Sequence, residues 1–111
     1  MRIDSFYFGS MVIRGRKFDH DLVLTWKGEV FPRNKQHEVT ADEFDKILEH
    51  SPEVIIIGTG TGGAMKVSPT LHLRAKINGA EVIEAPTPQA VEEFNKQIKN
   101  KKTIGLFHLT C

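Results

Sequence analysis

The segment of this chain that most resembles binding chemistry is the glycine-rich stretch at residues 58–63, Gly-Thr-Gly-Thr-Gly-Gly. It matches the pattern Gly-x-Gly-x-x-Gly and directly follows the apolar run at 54–57. In dinucleotide-binding proteins such glycines permit a tight turn and bring backbone N–H donors close to a pyrophosphate. Against nucleotide binding, the next helix is predicted to begin only near Ser68, no Gly-Lys-Ser/Thr follows, and a full dinucleotide-binding sheet needs a longer chain. The alternative is a plain connection whose glycines adopt positive φ angles.

A broader prediction concerns the whole edge of the sheet to which this loop belongs. Ligands of open α/β sheets bind beyond the carboxyl ends of parallel strands. There the loop threonines, Lys66 and Thr87 would offer hydrogen bonds to a small anion, and Glu84 stands roughly where a ribose-binding acid would sit. We therefore predict a ligand or partner surface, called the rim below, formed by Gly58, Thr59, Gly60, Thr61, Lys66, Glu84, Thr87 and His108.

Two other groups of polar residues have the types that catalysis or metal binding requires. His108 and Cys111 are three apart and could form a nucleophile pair or half a metal site. No third ligand stands at motif spacing, so we expect an end-of-strand histidine and an unreactive thiol. Asp19, His20 and Asp21 are expected to be solvated polar residues of a turn. The sequence thus predicts no catalytic residue, no metal site and no cofactor, which leans against an enzyme.

Composition and charge narrow the class of protein. The chain has 111 residues, 40% hydrophobic and 26% charged, as expected of one soluble globular domain spanning 1–111. The net charge of +1 gives little reason to expect nucleic-acid or membrane binding. The only cysteine is Cys111, so no disulfide within the chain and no Cys-rich zinc site is expected. The first residues lack the apolar core of a signal peptide, and we expect a cytoplasmic location.

The first half of the chain predicts strands followed by one helix. Short β-type runs in residues 1–32 indicate an antiparallel meander, which Pro32 ends. Thr40 and Glu43 have the spacing of a capping box. The acidic residues of this helix are expected on its solvent side: Asp42, Glu43, Asp45 and Glu49. The run at 54–57 is apolar without interruption, which predicts a central strand buried on both faces.

Residues 70–85 allow two interpretations. Leu71, Leu73, Ala75 and Ile77 alternate with polar residues, which is typical of a strand, and Asn78-Gly79 would then be a hairpin turn. Alternatively, Ser68 caps a helix that Pro69 opens and Gly79 closes. The helix is favoured because a parallel sheet needs a crossover after the buried strand at 54–57.

The last third completes a parallel arrangement. Residues 81–85 predict a strand, Thr87-Pro88 predicts a helix with a hydroxyl N-cap, and residues 103–109 predict the last strand. Together with the meander, the pattern predicts an α/β fold of three layers around a central mixed sheet, in which an N-terminal antiparallel β-meander precedes βαβαβ.

These segments carry a resemblance to a known family. The chain resembles a small-domain family that includes an adipogenesis-associated protein, a mitochondrial complex I assembly factor and uncharacterised archaeal and bacterial proteins, and it is most similar to the last group. The resemblance rests on residues 54–60, Val67-Ser68-Pro69, Glu84-Ala85-Pro86-Thr87, Ala90, Phe94-Asn95 and the C-terminal 107–111. Many members have an acidic-Gly-Arg turn where this chain has Asn100-Lys101-Lys102, so no function of that arginine carries over. The resemblance implies the same three-layer fold, no established catalytic residues, and roles that lean towards assembly and protein interaction.

The sequence therefore predicts a protein-interaction or assembly module that binds an unidentified protein partner or a second copy of itself. The alternative is a small-molecule or nucleotide-binding protein, possibly an enzyme, that uses the loop at 58–63. A concave pocket at this loop would favour the alternative. A filled loop would favour the interaction module.

Overall fold

The structure, a computed structural model, describes residues 2–34 and 36–111, which form two sheets and three helices. The smaller sheet is antiparallel and contains β1 (Ile3–Tyr7), β2 (Ser10–Ile13) and β3 (Arg16–Phe18). The larger sheet has, in spatial order, β5 (Val30–Pro32), β4 (Leu22–Leu24), β8 (Thr103–Phe107), β6 (Val54–Gly58) and β7 (Glu81–Ala85). The helices are α1 (Ala41–Leu48), α2 (Pro69–Ile77) and α3 (Thr87–Gln97).

The predicted three-layer α/β fold with a central mixed sheet is confirmed. Strand β6 is parallel to both of its neighbours, β7 and β8, whereas β4 is antiparallel to β8. Ile56 on β6 packs with α3 and the smaller sheet, and Ile55 and Ile57 pack with α1 and α2 on the opposite face. Apolar side chains are therefore needed on both faces of β6, as the uninterrupted run predicted. No helix among residues 2–34 and 36–111 is long and apolar enough to span a membrane.

The N-terminal β region divides between the two sheets instead of forming one continuous meander. Strands β1 to β3 form the smaller sheet, while β4 and β5 extend the central one. Asn95 of α3 holds β1 in place, because its Oδ1 accepts from the Ile3 N–H at 2.7 Å and its Nδ2 donates to the Ile3 carbonyl at 2.9 Å. Ile3 and Met11 then complete the core around Phe94.

The ambiguous segment after residue 69 is helical, as favoured. The Ser68 hydroxyl accepts from the Thr70 N–H at 3.2 Å, and Gly79 beyond the C-terminus has φ of 77°. The apolar residues alternate because α2 is apolar on two faces. One face, with Leu71 and Ala75, is buried, and the other exposes Leu73 and Ile77.

Candidate functional site

Three polar residues lie side by side just beyond the ends of β8, β4 and β5. In the sheet register Leu22 pairs with both neighbouring strands, so Asp21, one residue earlier, lies between His108 and Arg33. All three side chains are buried, with exposed fractions of 0% for His108 and 4% for both Asp21 and Arg33. The expectation that Asp21 is a solvated turn residue is wrong, because strand pairing carries it into the interior.

The Asp21 carboxylate accepts three hydrogen bonds. Oδ2 accepts from His108 Nδ1 at 2.7 Å and from Arg33 Nη1 at 3.2 Å, and Oδ1 accepts from the Leu109 N–H at 2.9 Å. An ionised carboxylate can only accept, so the imidazole carries a hydrogen on Nδ1. This hydrogen bond fixes the orientation of the His108 ring, and Nε2, the other ring nitrogen, makes no bond to Asp21.

Arg33 links this row to the first helix. Its Nε and Nη2 donate to the two oxygens of the Glu43 carboxylate at 2.6 and 3.0 Å, and Nη2 also donates to the Glu38 carbonyl at 3.2 Å. The expectation that Glu43 lies on the solvent side of its helix is therefore wrong. The Thr40 hydroxyl does accept from the Glu43 N–H at 3.2 Å, so half of the predicted capping box is present. The Glu43 carboxylate binds the guanidinium instead of completing it.

Thr110 and Cys111, called the C-terminal segment below, fill the glycine loop. The Thr61 N–H donates to the Thr110 carbonyl at 2.6 Å. Gly60 has φ of 101°, and a Cβ placed on it would lie 2.5 Å from the Cys111 carbonyl carbon and 2.8 Å from His108 Cδ2. Atoms of real side chains do not approach that closely. The missing side chain of Gly60 therefore accommodates the C-terminal segment.

Thr87 joins the loop to the end of β8. Its hydroxyl accepts from the Gly60 N–H at 2.9 Å and donates to the His108 carbonyl at 2.6 Å, and the residue is fully buried. Thr87 was predicted as the N-cap of its helix, but it is the first helical residue. The N-cap is Pro86, which makes no side-chain capping bond. The hydroxyl is committed to the loop, so it does not cap the helix.

The structure brings most of the predicted rim together. Lys66 is connected to His108 through His37. The Lys66 N–H donates to the His37 carbonyl at 2.8 Å, and the centres of the His37 and His108 rings are 5.2 Å apart. The Glu84 carboxylate contacts His72 on α2 instead of the loop, with 2.5 Å between Glu84 Oε2 and His72 Nε2. The six rim residues that meet around the C-terminal segment are Gly58, Thr59, Gly60, Thr61, Thr87 and His108.

The Asp21–His108 pair has the geometry of a general base, but His108 has no exposed surface. Its Nε2 and the Thr110 hydroxyl are the buried side-chain atoms that lack a hydrogen-bond partner among the described residues. Gly60 packs against the same ring. The nitrogen is therefore closed to solvent in this structure, and the Asp21 carboxylate fixes His108 and Leu109 at the end of β8. Within 2–34 and 36–111, no three His, Cys, Asp or Glu side chains cluster as metal ligands.

Reasoning from the sequence interpreted Asp21 as a solvated turn residue, and it did not identify Arg33 and Glu43 as site residues. They lie in a turn, after a strand-ending proline and on the first turn of a helix, at sequence distances that match no motif. The one available signal was that Asp21 and His108 each adjoin a predicted strand. The pairing of those strands, which places them together, is a property of the tertiary structure.

One cavity and one exposed aromatic pair lie apart from this buried row, and a second cavity is lined in part by Arg33 and Glu43. The first cavity is lined by Arg14, Arg16 and His20 with apolar neighbours, and the second lies between β5 and α1. Neither of these two cavities is lined by the glycine loop. Tyr7 and Phe8, at the turn between β1 and β2, are 70% and 66% exposed.

The fold and site define a three-layer α/β domain with a mixed sheet whose glycine loop is closed by the C-terminal segment. The chain belongs to the family of proteins of unknown function DUF498/DUF598, whose model matches residues 3–108. The conserved hypothetical protein PH1505 from Pyrococcus horikoshii OT3 is similar, with 29% identity, a TM-score of 0.88 and 100% of both chains covered. A structure described as MT938 also has 29% identity, with a TM-score of 0.81 over 99% of this chain and 98% of that one.

A more distant structure shares the fold alone. An outer membrane protein from Bartonella henselae is 18% identical, with a TM-score of 0.84 over 98% of this chain and 94% of its own. None of these descriptions assigns an activity that could be transferred. The function is therefore argued from the residues of this chain.

Proposed function

We propose that the protein is a protein-interaction module that binds a partner protein through the turn between β1 and β2. The carrying observation is the exposed aromatic pair, Tyr7 at 70% and Phe8 at 66%. Large aromatic side chains are enriched among the residues that dominate binding energy at protein interfaces. Burial of these two rings in a partner would remove a substantial apolar area from water, which favours association.

The aromatic pair is held on a rigid support. Tyr7 pairs with Ser10 across the hairpin, and the Gly9 N–H donates to the Leu109 carbonyl at 2.8 Å. Leu109 is itself fixed by the Asp21 carboxylate. A surface that is already ordered loses less conformational freedom on binding, so more of the contact energy is retained as affinity.

The filled glycine loop supports this class of function over small-molecule binding at the loop. Gly60 packs against Cys111 where a phosphate would need to approach. The family resemblance to an adipogenesis-associated protein and a complex I assembly factor favours the same class. A cytoplasmic location remains our prediction for this module.

The partner that fits best is a different protein with an apolar pocket. A second copy of this chain would need a matching apolar socket. The two cavities described above are lined by charged side chains, which include Arg14 and Arg16 in one and Glu43 and Lys46 in the other. Neither of these two cavities has the continuous apolar lining that both rings together would need.

A photo-crosslinking experiment tests the proposal. The photoreactive analogue p-benzoylphenylalanine is placed at Phe8 and, as a matched control, at Leu73, which is 59% exposed on the outer face of α2. In the native cells we expect one defined adduct from position 8 and none of that mass from position 73. Unlabelled wild-type chain should compete for it, while a competitor carrying Tyr7→Ser and Phe8→Ser should require roughly 30-fold more protein.

The outcomes separate cleanly. Exposed substitutions change stability by about 0.5 kcal/mol or less, so the double variant should unfold like the wild type and remain a valid competitor. Adducts of equal mass and yield from both positions, or equal competition by the double variant, would refute the proposal. An adduct with the mass of two copies of this chain would refute the choice of a different protein as partner.

A further inference from the structure

The cavity between the smaller sheet and the β4–β5 hairpin gathers cationic side chains over an apolar floor. Its volume is about 370 Å³, within the range of roughly 300–1,000 Å³ typical of small-molecule sites. Arg14, Arg16 and His20 line it together with the apolar residues Ile13, Phe18, Val30 and Pro32, and with Gly28. No Asp or Glu side chain lines it in the part of the chain that the structure describes.

Arg14, Arg16 and His20 each make one contact within the protein that leaves other polar atoms of the side chain free. Arg14 Nη2 donates to the Gly28 carbonyl at 2.7 Å, and the Arg16 guanidinium lies 5.2 Å from the centre of the Phe18 ring. His20 Nδ1 donates to the Asp21 carbonyl at 3.0 Å, which leaves Nε2 uncommitted by that bond. Neither arginine forms an ion pair with a carboxylate among residues 2–34 and 36–111.

The backbone at Arg14 is also unusual. Arg14 and Gly15 form the two-residue turn between β2 and β3 with φ of 50° and 79°. Turns with positive φ at both positions favour Asn-Gly, and an arginine at the first position is strained. A Cβ on Gly28 would lie 2.7 Å from Arg14 Nη1, so the absent side chain at Gly28 makes room for the guanidinium. The strained residue and the glycine that accommodates it belong to the same cavity.

We propose that this cavity binds a small organic anion, in which a phosphate or carboxylate group engages Arg14 and Arg16 and an apolar group rests on the floor. Guanidinium groups match such oxyanions geometrically and bind them through charge-assisted hydrogen bonds. Two guanidinium groups that share a cavity without a carboxylate repel one another, and a bound anion relieves this repulsion. The proposal does not depend on the protein-interaction function.

Titration with simple probes, followed by the amide signals of Gly28 and Phe18 in NMR spectra, tests the site. We expect saturable shifts with phenyl phosphate or benzoate at a roughly millimolar Kd, the strength reasonable for ligands of this size. Tighter binding of phenyl phosphate than of benzoate would identify the anionic group of the ligand as a phosphate, and the reverse would identify it as a carboxylate. Phenol, the neutral analogue, should bind at least about tenfold more weakly, since it cannot form the charge-assisted bonds.

Two substitutions that remove the same charge distinguish a direct contact with the ligand from a general effect of net charge. Arg16→Gln should weaken phenyl phosphate binding by about tenfold or more. Lys17→Gln removes the same charge from the adjacent residue, whose side chain points to the opposite face of β3, and should change the Kd by less than about twofold. Equal effects of the two substitutions, equal binding of phenol and phenyl phosphate, or no saturation would overturn the proposal.

Arg14→Asn guards against misfolding as an explanation. Asparagine suits the first position of this turn, so the variant should melt about 2–5 °C higher than the wild type while binding phenyl phosphate more weakly. Opposite changes in stability and affinity would show that Arg14 serves the ligand. A variant that melts higher and binds with unchanged affinity would remove Arg14 from the site and refute the proposal.

Discussion

Replacement of Asp21 by alanine should lower the free energy of unfolding by about 3–5 kcal/mol, the cost typical of removing one member of a buried ion pair. The carboxylate neutralises Arg33 and accepts from His108 and the Leu109 N–H. Without it, a buried guanidinium loses one of its two anionic partners and two buried donors lose their acceptor. Urea denaturation measures the effect as a lower midpoint with an unchanged slope.

The neighbouring Asp19 supplies the matched control. It is exposed, so Asp19→Ala should change the free energy of unfolding by about 0.5 kcal/mol or less. The double-mutant cycle of Asp21→Ala with Arg33→Ala should show a coupling energy of about 1–3 kcal/mol, because the two side chains are in direct contact. If Asp21→Ala cost less than about 1 kcal/mol, the row at the strand ends would not be a stabilising network.

Replacement of Gly60 by alanine should lower the free energy of unfolding by about 2–5 kcal/mol. A φ of 101° disfavours any residue with a Cβ, and the added atom would overlap the Cys111 carbonyl carbon and His108 Cδ2. Backbone strain contributes about 1–2 kcal/mol and overpacking about 1–3 kcal/mol. Thermal and urea unfolding measure the sum, and we expect the Thr61 amide to lose protection from hydrogen exchange as the C-terminal segment is displaced.

Gly79 isolates the steric part of this effect. It has φ of 77° and nothing within 4 Å of the position that a Cβ would occupy. Gly79→Ala should therefore carry the backbone penalty alone, about 1–2 kcal/mol. Equal losses for Gly60→Ala and Gly79→Ala would mean that the C-terminal segment does not pack tightly in the loop.

Much of the fold follows from local patterns. The apolar run at 54–57 is a central strand, Ser68 and Pro69 open a helix, and the mixed sheet is present. These predictions succeed because burial on two faces and capping chemistry act over a few neighbouring residues. The division of the N-terminal strands between two sheets was not predicted, since nothing within those strands specifies which distant strand each one pairs with.

The glycine loop of the rim likewise combines a feature that local sequence predicts with one that only the tertiary structure determines. The glycine pattern was a sound indication of a tight connection at the carboxyl end of a buried strand, with positive φ at Gly60 and Gly63. The glycine pattern does not specify which group occupies the space next to those glycines. A pyrophosphate and the chain's own C-terminal residues both need a backbone without side chains, so the pattern alone does not distinguish them.

Local chemistry in the amino-acid sequence specifies the α/β class, most element boundaries and the turn at the glycine loop. The pairing of distant strands specifies which polar residues meet at the candidate site. Register sets Asp21 between His108 and Arg33, although the three residues are widely separated in the chain and none is diagnostic alone. The same packing fills the glycine loop with Thr110 and Cys111. Hydrogen bonds between strands and the exclusion of overlapping atoms act across sequence distance, and so they take effect only once the chain has folded.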